Sequence, residues 1–509
     1  MRRQPALVGA VVTACLLLLA TNSDHWRSIS TRGLPTLRWS APQSELYSNL
    51  CGPTSIQNSE DLRLGTRTQP TDLGTTTPSV PYALGSDLKV GAHTWGYSVL
   101  DRLYLRNGTF YIVTSDRDSL PTKAEIIHRL GRISTQGDED DEGSELVKYI
   151  SPAESRGVLG DFATVISGVS FLILDPPRYL AHFFHYWGEV LLGAWRVYSS
   201  LALSSDPSLI NSLPFPSRFV FPFVDNGEWR DRADLNGPLM RLAFPDVHIV
   251  KSDVWGDWIK TGGTIVFERS VTVNRVSAHK SSLASIWFKM LSSTQNITVP
   301  NQFWEPIRKS VSQQLWGYAP QVTNSGRPAS TPRLAPNPDA TGIYDSLPIV
   351  TYISRQTTGR RLIDSHHEEL VAALRLLEIE GVCTVRIPVM EKLTLKEQLA
   401  EVASSTILLG VHGNGLTHQI FMPPSLRSAV IEMQPPGDYA FDYWMLARNM
   451  GHKHFMVQND TVTTYRPGEW HNGIHIGENF HSNNIPVSGS VVADLIRERL
   501  MQMEEKVED

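Results

Sequence analysis

The sequence predicts an α/β protein whose C-terminal part folds around a parallel, doubly wound sheet. After residue 345, runs rich in β-branched residues alternate with segments of helical periodicity, and this alternation is typical of βαβ units. The predicted strands cover residues 349–353, 382–389, 406–411, 429–433 and 454–457, and residues 441–450 form a predicted helix. Ligands bind such sheets beyond the carboxyl ends of the strands, so we expect functional residues there.

Two helices of this region have recognisable starts. Glu368 follows Ser365, and Glu397 follows Thr394, at the spacing of a capping box. The first helix then carries apolar residues at helical spacing and ends at Gly381, where a helix C-terminus favours glycine.

Residues 85–322 carry the other predicted elements. Strand-like runs at 110–114, 171–174 and 264–267 and a strongly apolar helix at 177–203 indicate a second, less regular α/β domain. An acidic segment at 137–145 is expected to be a solvated loop.

Proline, glycine and polar residues mark the boundaries between these parts, most clearly at 323–345. The predicted order is an anchor (1–22), a stem (23–84), an N-terminal α/β domain (85–322), a linker (323–345), a C-terminal Rossmann-like domain (346–490) and a helix or tail (491–509).

The N-terminus predicts a membrane anchor. Arg2 and Arg3 precede an uncharged stretch at 6–20, which is shorter than the roughly 20 residues that a typical bilayer core needs. A cleaved signal peptide is the alternative, but Leu18 does not suit the small-residue rule for cleavage after Ala20. The arginines would keep the N-terminus cytoplasmic, so we expect a single-pass type II protein whose main part lies in the lumen of the Golgi or ER.

Other features fit a lumenal protein. Asn107, Asn296 and Asn459 begin N-glycosylation triplets. Outside the anchor, Cys51 and Cys383 either form one disulfide or remain unpaired, because spacing alone does not decide between these states.

The composition argues against a nucleic-acid-binding protein. The net charge is −6 over 509 residues, and no basic stripe interleaved with aromatic residues occurs. Apolar residues make up 41% of the chain, which is enough for large buried cores.

A glycine-containing segment follows the third predicted strand of the C-terminal sheet. His412, Gly413, Asn414 and Gly415 lie where this strand ends and a helix begins. Glycines let the backbone approach a ligand, and free N–H groups at a helix start suit a phosphate. An ordinary tight turn is the structural alternative, but the imidazole of His412 at the ligand edge favours a site.

Charged residues follow two other strands of the same sheet. Arg355, Arg360 and Arg361 come after the first strand, and a guanidinium matches a diphosphate in shape and charge. Glu432 lies near the end of the fourth strand. This carboxylate either holds a hydroxyl pair of a ribose or sugar, or simply closes the strand.

The N-terminal half offers a polar stripe on its apolar helix, where His182, His185 and Glu189 share one face. One of them is a candidate general base, and histidines hydrogen-bonded inside a core are the alternative. The sequence contains no HExxH pattern, so no metal site is predicted. Asp116 and Asp118 match the short Asp-x-Asp pattern of metal-dependent GT-A transferases, which is a second alternative.

Several strings together resemble glycosyltransferase family 61. In chain order they are Thr351-Tyr352-Ile353-Ser354-Arg355, Arg360-Arg361-Leu362, Glu397-Gln398, the segment 410–418, Phe421-Met422-Pro423-Pro424 and Val430-Ile431-Glu432. Residues 182–195 resemble a weaker N-terminal signature. The family includes plant β-1,2-xylosyltransferases and animal O-GlcNAc transferases of the secretory pathway.

The resemblance implies a GT-B fold with two Rossmann-like domains, a UDP-sugar donor, inversion at the anomeric carbon and no cofactor or metal. It implies that residues 346–490 bind the donor and that residues 85–322 face a glycan or glycoprotein acceptor. The expected donor-binding residues are Arg355, Arg360, Arg361, Gln398, His412, Gly413, Asn414, Gly415, Leu416, Thr417 and Glu432, and the expected catalytic residues are His185, Glu189 and His412.

The resemblance favours xylose or GlcNAc as the transferred sugar. The usual family string is HGAGLTN, so Asn414 and His418 are departures that bear on donor identity. A non-catalytic lumenal carbohydrate-binding protein with a degenerate transferase fold is the alternative function.

Overall fold

The computed structural model describes residues 79–81, 89–128, 146–203, 213–329, 347–466, 469 and 473–501. The predicted anchor, Cys51 and most of the predicted linker lie outside these residues. Within the described part of the chain, no helix is both long and apolar enough to cross a membrane. All described residues belong to one compact unit, Ile56–Asp509.

The first sheet is mixed rather than parallel. Its strands are β1 (Ser79–Pro81), β2 (Lys89–Thr94), β3 (Tyr97–Arg106), β4 (Thr109–Val113), β5 (Val147–Ile150), β6 (Phe162–Ile173), β7 (Arg218–Val220), β8 (His248–Val250) and β9 (Thr264–Val273). The order is β5-β4-β3-β9-β6-β7-β8, with β1 beside β6 and β2 beside β3. Asn107 and Gly108, at φ 50° and 78°, form the two-residue turn that makes β3 and β4 antiparallel.

The second sheet confirms the predicted parallel arrangement. Its strands are β10 (Ile349–Ile353), β11 (Thr384–Arg386), β12 (Ile407–Val411), β13 (Ala429–Met433), β14 (Lys453–Gln458) and β15 (Thr461–Thr463). The order is β11-β10-β12-β13-β14-β15, and β15 alone among these is antiparallel to its neighbour. Every residue of β10, β12 and β13 is buried, as expected for strands covered on both faces.

Helical segments connect and cover the sheets. In the N-terminal half they are Lys123–Ile126, Pro152–Leu159, Pro177–Leu180, Phe184–Leu191, Leu192–Ser199, Ser200–Leu203, Asn236–Ala243, Ser252–Lys260, Arg275–His279, Ser282–Trp287, Met290–Thr294 and Glu305–Trp316. In the C-terminal half they are Asp364–Ile379, Met390–Lys392, Leu395–Val402, Asn414–Phe421, Asp442–Met450, Glu478–His481 and Gly489–Met501.

The predicted continuous helix at 177–203 is wrong in one respect. It is divided into Pro177–Leu180, a π-helical segment Phe184–Leu191, the α-helix Leu192–Ser199 and a 3₁₀ turn Ser200–Leu203. π-Helical geometry is rare in proteins, and where it does occur it is often part of a functional site. This segment carries His185 and Glu189.

The two predicted capping boxes have different outcomes. Thr394 and Glu397 form one, with both reciprocal hydrogen bonds present. The box predicted at Ser365 is wrong, because the helix already begins at Asp364 and Ser365 lies inside it. The N-cap is Ile363, which has no polar side chain to accept a hydrogen bond.

A shared hydrophobic core joins the two halves. One buried cluster contains Tyr97, Trp187 and Trp287 together with Leu408 and Trp444. A separate cluster on the other face of the second sheet includes Leu370, Leu374, Leu377 and residues of the helix Gly489–Met501. The segment that carries His185 is therefore packed directly against one face of the C-terminal half.

Candidate functional site

The order of the second sheet creates a crevice at its carboxyl edge. The strands β11, β10, β12, β13 and β14 follow the doubly wound order 2-1-3-4-5, in which the connections after the first and third strands leave in opposite directions. The helix Asp364–Ile379 accordingly packs in one core cluster, whereas Leu416 and Ile420, which follow β12, pack in the other. The ends of β10 and β12 therefore flank the position where this class of sheet binds ligands.

His412 is the first residue after β12, and a buried carboxylate holds its ring. His412 Nδ1 hydrogen-bonds to Glu432 Oε1, and His454 Nε2 lies 2.8 Å from Glu432 Oε2. Burial raises the pKa of Glu432, but the charges and hydrogen bonds of His412 and His454 outweigh burial and lower the pKa to about 2. Glu432 is therefore an anion that fixes the orientation of His412.

Two guanidinium groups converge on the backbone carbonyl of His412. Arg355 Nη1 donates to this oxygen at 2.7 Å and Arg360 Nη1 at 2.9 Å. Gly413 has φ 154°, and a Cβ built there would lie 1.3 Å from Arg355 Nη1. Only glycine therefore lets Arg355 reach the loop.

Arg360 and Arg361 are neighbours with different surroundings. The guanidinium of Arg360 also stacks over Phe480, with Cζ 4.6 Å from the ring centroid. Arg361 is half-buried, and its backbone carbonyl accepts a hydrogen bond from Ile485 N. Among the described residues, the Arg361 side chain makes no hydrogen bond or ion pair. The structure thus brings Arg355 and Arg360, but not Arg361, together at the end of β12.

The remaining residues of the loop hold it in place. Asn414 Oδ1 accepts a hydrogen bond of 3.1 Å from Phe184 N, the first residue of the π-helical segment. A Cβ at Gly415 would lie 2.9 Å from Ile353 Cγ2, so the loop also packs closely on the end of β10. Leu416 and Thr417 are fully buried, which makes them supports of the loop. Asn414 therefore connects the two halves directly.

Gln398 and His418 support the loop from behind. His418 Nδ1 donates to Gly415 O at 2.8 Å, and its Nε2 lies 3.1 Å from Gln398 Oε1. Gln398 Nε2 donates to Leu393 O at 3.0 Å. Burial lowers the pKa of His418 to about 4. Both residues are buried, so Gln398, an expected donor ligand, is engaged with the protein itself.

In the N-terminal half, His185 is held by a second buried carboxylate. His185 Nδ1 lies 2.6 Å from Glu189 Oε2, which also accepts from Arg275 Nη1 at 2.8 Å. Glu189 Oε1 accepts from Met290 N at 3.1 Å. Arg275 in turn bonds Asp175 at 2.8 Å. Glu189 is fully buried, whereas 27% of the His185 side chain is exposed.

The charge of Glu189 is fixed by this network. Burial raises its pKa, but the Arg275 guanidinium and His185 reverse the effect and hold the pKa of Glu189 well below its usual range. Because both of its oxygens are occupied, Glu189 orients His185, and the exposed imidazole is the better candidate for proton transfer.

Aromatic contacts bring the two histidine sites close to each other. The ring of Tyr443 lies 5.5 Å from Phe184, the neighbour of His185, and 5.0 Å from His412, measured between ring centroids. Phe480 lies 4.8 Å from His412. The residues around His185, which we call the first wall, and those around His412, which we call the second wall, therefore lie next to each other at the carboxyl edge of the second sheet.

Sequence reasoning missed His454, Tyr443, Phe480 and Arg275. His454 lies in a predicted strand. The signal that could have identified it was a histidine in the strand that neighbours the strand of Glu432. Arg275 follows β9 with no distinguishing pattern, and its partners Asp175 and Glu189 are far away in the chain.

The other residues singled out in the sequence are the Asp-x-Asp aspartate Asp116, the three glycosylation asparagines and Cys383. Asp116 Oδ1 accepts from Ser119 N at 3.3 Å, which closes a turn after β4. Asn107 and Asn296 are exposed and Asn459 is half-buried, and their glycosylation stays a prediction. Cys383 is buried, and burial raises the pKa of its thiol to about 12.

Comparisons with known proteins agree with the predicted resemblance. Residues 178–431, about half of the chain, match the family model described as Glycosyltransferase 61. A 74-residue segment is 38% identical to an EGF domain-specific O-linked N-acetylglucosamine transferase from Drosophila melanogaster. This segment covers 14% of the chain and 13% of that relative. The matched region contains His185, Glu189, Arg355, Arg360 and His412, and it ends just before Glu432. The chain belongs to glycosyltransferase family 61.

Proposed function

We propose that this protein transfers a sugar, with inversion, from a UDP-sugar to a hydroxyl of a glycan or glycoprotein. The observation that carries the proposal is the convergence of Arg355 and Arg360 on His412 O, at 2.7 and 2.9 Å, where the doubly wound sheet changes direction. We also propose a GT-B arrangement in which the C-terminal half binds the donor, and the doubly wound order of its sheet supports this proposal.

The end of β12 would bind the diphosphate. Each guanidinium uses one terminal nitrogen on His412 O and has further N–H donors for phosphate oxygens. The first turn of the helical segment Asn414–Phe421 adds backbone N–H groups. When the bond between the anomeric carbon and the β-phosphate oxygen breaks, negative charge develops on the leaving UDP, and these fixed donors stabilise it.

His185 would activate the acceptor. Its Nδ1 carries the proton that is donated to the Glu189 carboxylate, so Nε2 has the lone pair that accepts a proton. The acceptor oxygen attacks the anomeric carbon, its proton passes to His185 Nε2, and UDP leaves from the opposite face. His412, held by Glu432, would present Nε2 to the donor in the same way.

The sugar is proposed to be GlcNAc or xylose. The Drosophila relative is named as an O-linked N-acetylglucosamine transferase, which supports the first of these. We further propose a location in the Golgi or ER, with an N-terminal type II anchor and a lumenal catalytic part.

A panel of UDP-sugars tests the proposal. The full chain is incubated with each donor and a glycoprotein acceptor, with and without EDTA, and UDP release is followed. We expect release from UDP-GlcNAc or UDP-xylose that persists in EDTA, and near-complete loss in His412→Ala. Release from no donor would favour a non-catalytic carbohydrate-binding protein, and activity abolished by EDTA would favour a metal-dependent transferase that uses Asp116 and Asp118.

A further inference from the structure

An ion pair joins the two walls of the crevice between the histidine sites. Lys289 precedes Met290, whose backbone N–H donates to Glu189 at 3.1 Å, so Lys289 belongs to the His185 wall. Asp442 precedes Tyr443, whose ring lies 5.0 Å from that of His412, so Asp442 belongs to the opposite wall. Lys289 Nζ lies 3.4 Å from Asp442 Oδ2.

This pair is only partly satisfied. Charge-assisted bonds between an ammonium and a carboxylate are usually about 2.7–2.9 Å long, so the distance of 3.4 Å is long. The Asp442 side chain is largely buried, with 12% of its surface exposed, and its Oδ1 is buried without a hydrogen-bond partner among the described residues. An ammonium has three donors, but within the described chain Lys289 Nζ meets a single carboxylate, that of Asp442.

A helix-end effect explains only part of this arrangement. Asp442 is the first residue of the helix Asp442–Met450, where the helix dipole favours a negative charge. That effect stabilises the charge but gives Oδ1 no hydrogen-bond partner. A buried oxygen without a partner is costly, and each such group in a native structure requires an explanation.

The location identifies the chemistry that would complete the pair. In the proposed reaction the transferred sugar lies between the leaving diphosphate, near His412, and the base, His185. Lys289 and Asp442 extend from these same two walls, one from each, and meet between them. A sugar hydroxyl is both a donor and an acceptor, so a single hydroxyl can donate to Asp442 and accept from Lys289.

We infer that Lys289 and Asp442 together bind a hydroxyl of the sugar carried by the donor nucleotide. This inference rests on the proposed function and assigns the pair to the sugar, whereas Arg355 and Arg360 serve the diphosphate. The pair would therefore discriminate between donors, and its loss would weaken binding of the UDP-sugar but not of UDP.

Titration calorimetry on the full chain separates these contributions. UDP, UDP-GlcNAc and UDP-xylose are titrated into the wild type, Asp442→Asn and Lys289→Met. The matched controls are Asp257→Asn and Lys260→Met, because Lys260 and Asp257 form a pair at 3.8 Å whose side chains are mostly exposed. We expect UDP to bind all five proteins with similar Kd, which also shows that the variants are folded.

The ratio of the Kd for the UDP-sugar to the Kd for UDP is the decisive quantity. It should rise at least about five-fold in Asp442→Asn and Lys289→Met, since each loses a hydrogen bond to a charged group, and should not change in the controls. An unchanged ratio in both crevice variants would overturn the inference and leave the proposed function intact. An equal loss of UDP and UDP-sugar binding would also overturn it, because the pair would then serve the diphosphate or the fold. If the wild type binds none of the three ligands, the proposed function itself is wrong, and the inference fails with it.

Discussion

The two walls of the crevice use the same motif, a histidine held by a buried glutamate, but balance the glutamate charge differently. Glu189 is paired with Arg275 at 2.8 Å, and a guanidinium stays protonated at any physiological pH. The partners of Glu432 are two histidines, His412 and His454. The carboxylate beside His185 therefore has a permanent cation as a partner in addition to the imidazole, which suits a base at His185. The carboxylate beside His412 depends on its histidines, which suits a rigid ligand-orienting group.

The largest expected effect comes from removing the exposed histidine of the first wall. His185→Ala should lower kcat by about 10²–10⁴, the usual contribution of a general base, with little change in the affinity for UDP. Steady-state kinetics with saturating donor measures the change. His182→Ala is the matched control, since its ring lies 4.7 Å from that of His185 but makes no hydrogen bond to Glu189 in the described structure. Equal losses in the two variants would remove the special role of His185.

The permanent cation of the first wall is the next test. Arg275→Met should destabilise the fold by about 3–5 kcal/mol, because it leaves the buried Asp175 and Glu189 without their cation. Urea denaturation measures the free energy of unfolding. Arg156→Met is the control, since its pair with Asp161 is mostly exposed and should be worth about 1 kcal/mol or less. A similar loss of unfolding free energy in both variants would show that the buried network contributes no more to stability than an exposed ion pair.

The contribution of Glu432, in the second wall, to the free energy of unfolding should decrease in acid. The folded-state pKa of Glu432 is about 2, below its ordinary 4.5, so its contribution is fully present above pH 4.5 and is lost as the pH falls toward 2. Glu432→Gln should remove a contribution on the order of 3 kcal/mol at neutral pH and flatten the decline in acid. Unfolding free energies measured from pH 7 to pH 2 test this. Glu498→Gln, at an exposed position, should follow the wild type, and an unchanged acid slope in Glu432→Gln would contradict the assignment.

The smallest effect separates two adjacent arginines. Arg360→Ala should raise the KM for the UDP-sugar about ten-fold, because a hydrogen bond to a charged group is lost. Arg361→Ala should leave KM within about two-fold, because among the described residues its side chain makes no hydrogen bond to the His412 loop. A larger rise in KM for Arg361→Ala than for Arg360→Ala would show instead that Arg361 is the more important donor ligand.

The periodic part of the C-terminal half was predictable, and the reasons are local. β10 and β13 match their predicted bounds, because buried β-branched runs determine these strands with little help from tertiary contacts. The positions of His412, Arg355 and Glu432 at or after the ends of predicted strands identified them as candidates, because these strand ends meet at one edge of the sheet. The short antiparallel β15 (Thr461–Thr463) was not predicted.

Long-range partners were not predictable. Arg275 lies 86 residues from Glu189 in the chain, and Asn414 lies 230 residues from Phe184. No local pattern encodes such pairs. The π-helical segment also escaped prediction, because its apolar residues have the same spacing as those of an ordinary buried helix. Asn414 connects the two walls, a contact that the sequence did not predict, and its role in donor contacts stays a prediction.

The central claim is that one wall binds the donor diphosphate and the other activates the acceptor. Titration of UDP into the wild type, His185→Ala and Arg360→Ala tests it most directly. The account predicts equal Kd values for the wild type and His185→Ala, and a Kd about ten-fold higher for Arg360→Ala. Equal binding by all three proteins, or an equal loss in both variants, would contradict the division between the two walls.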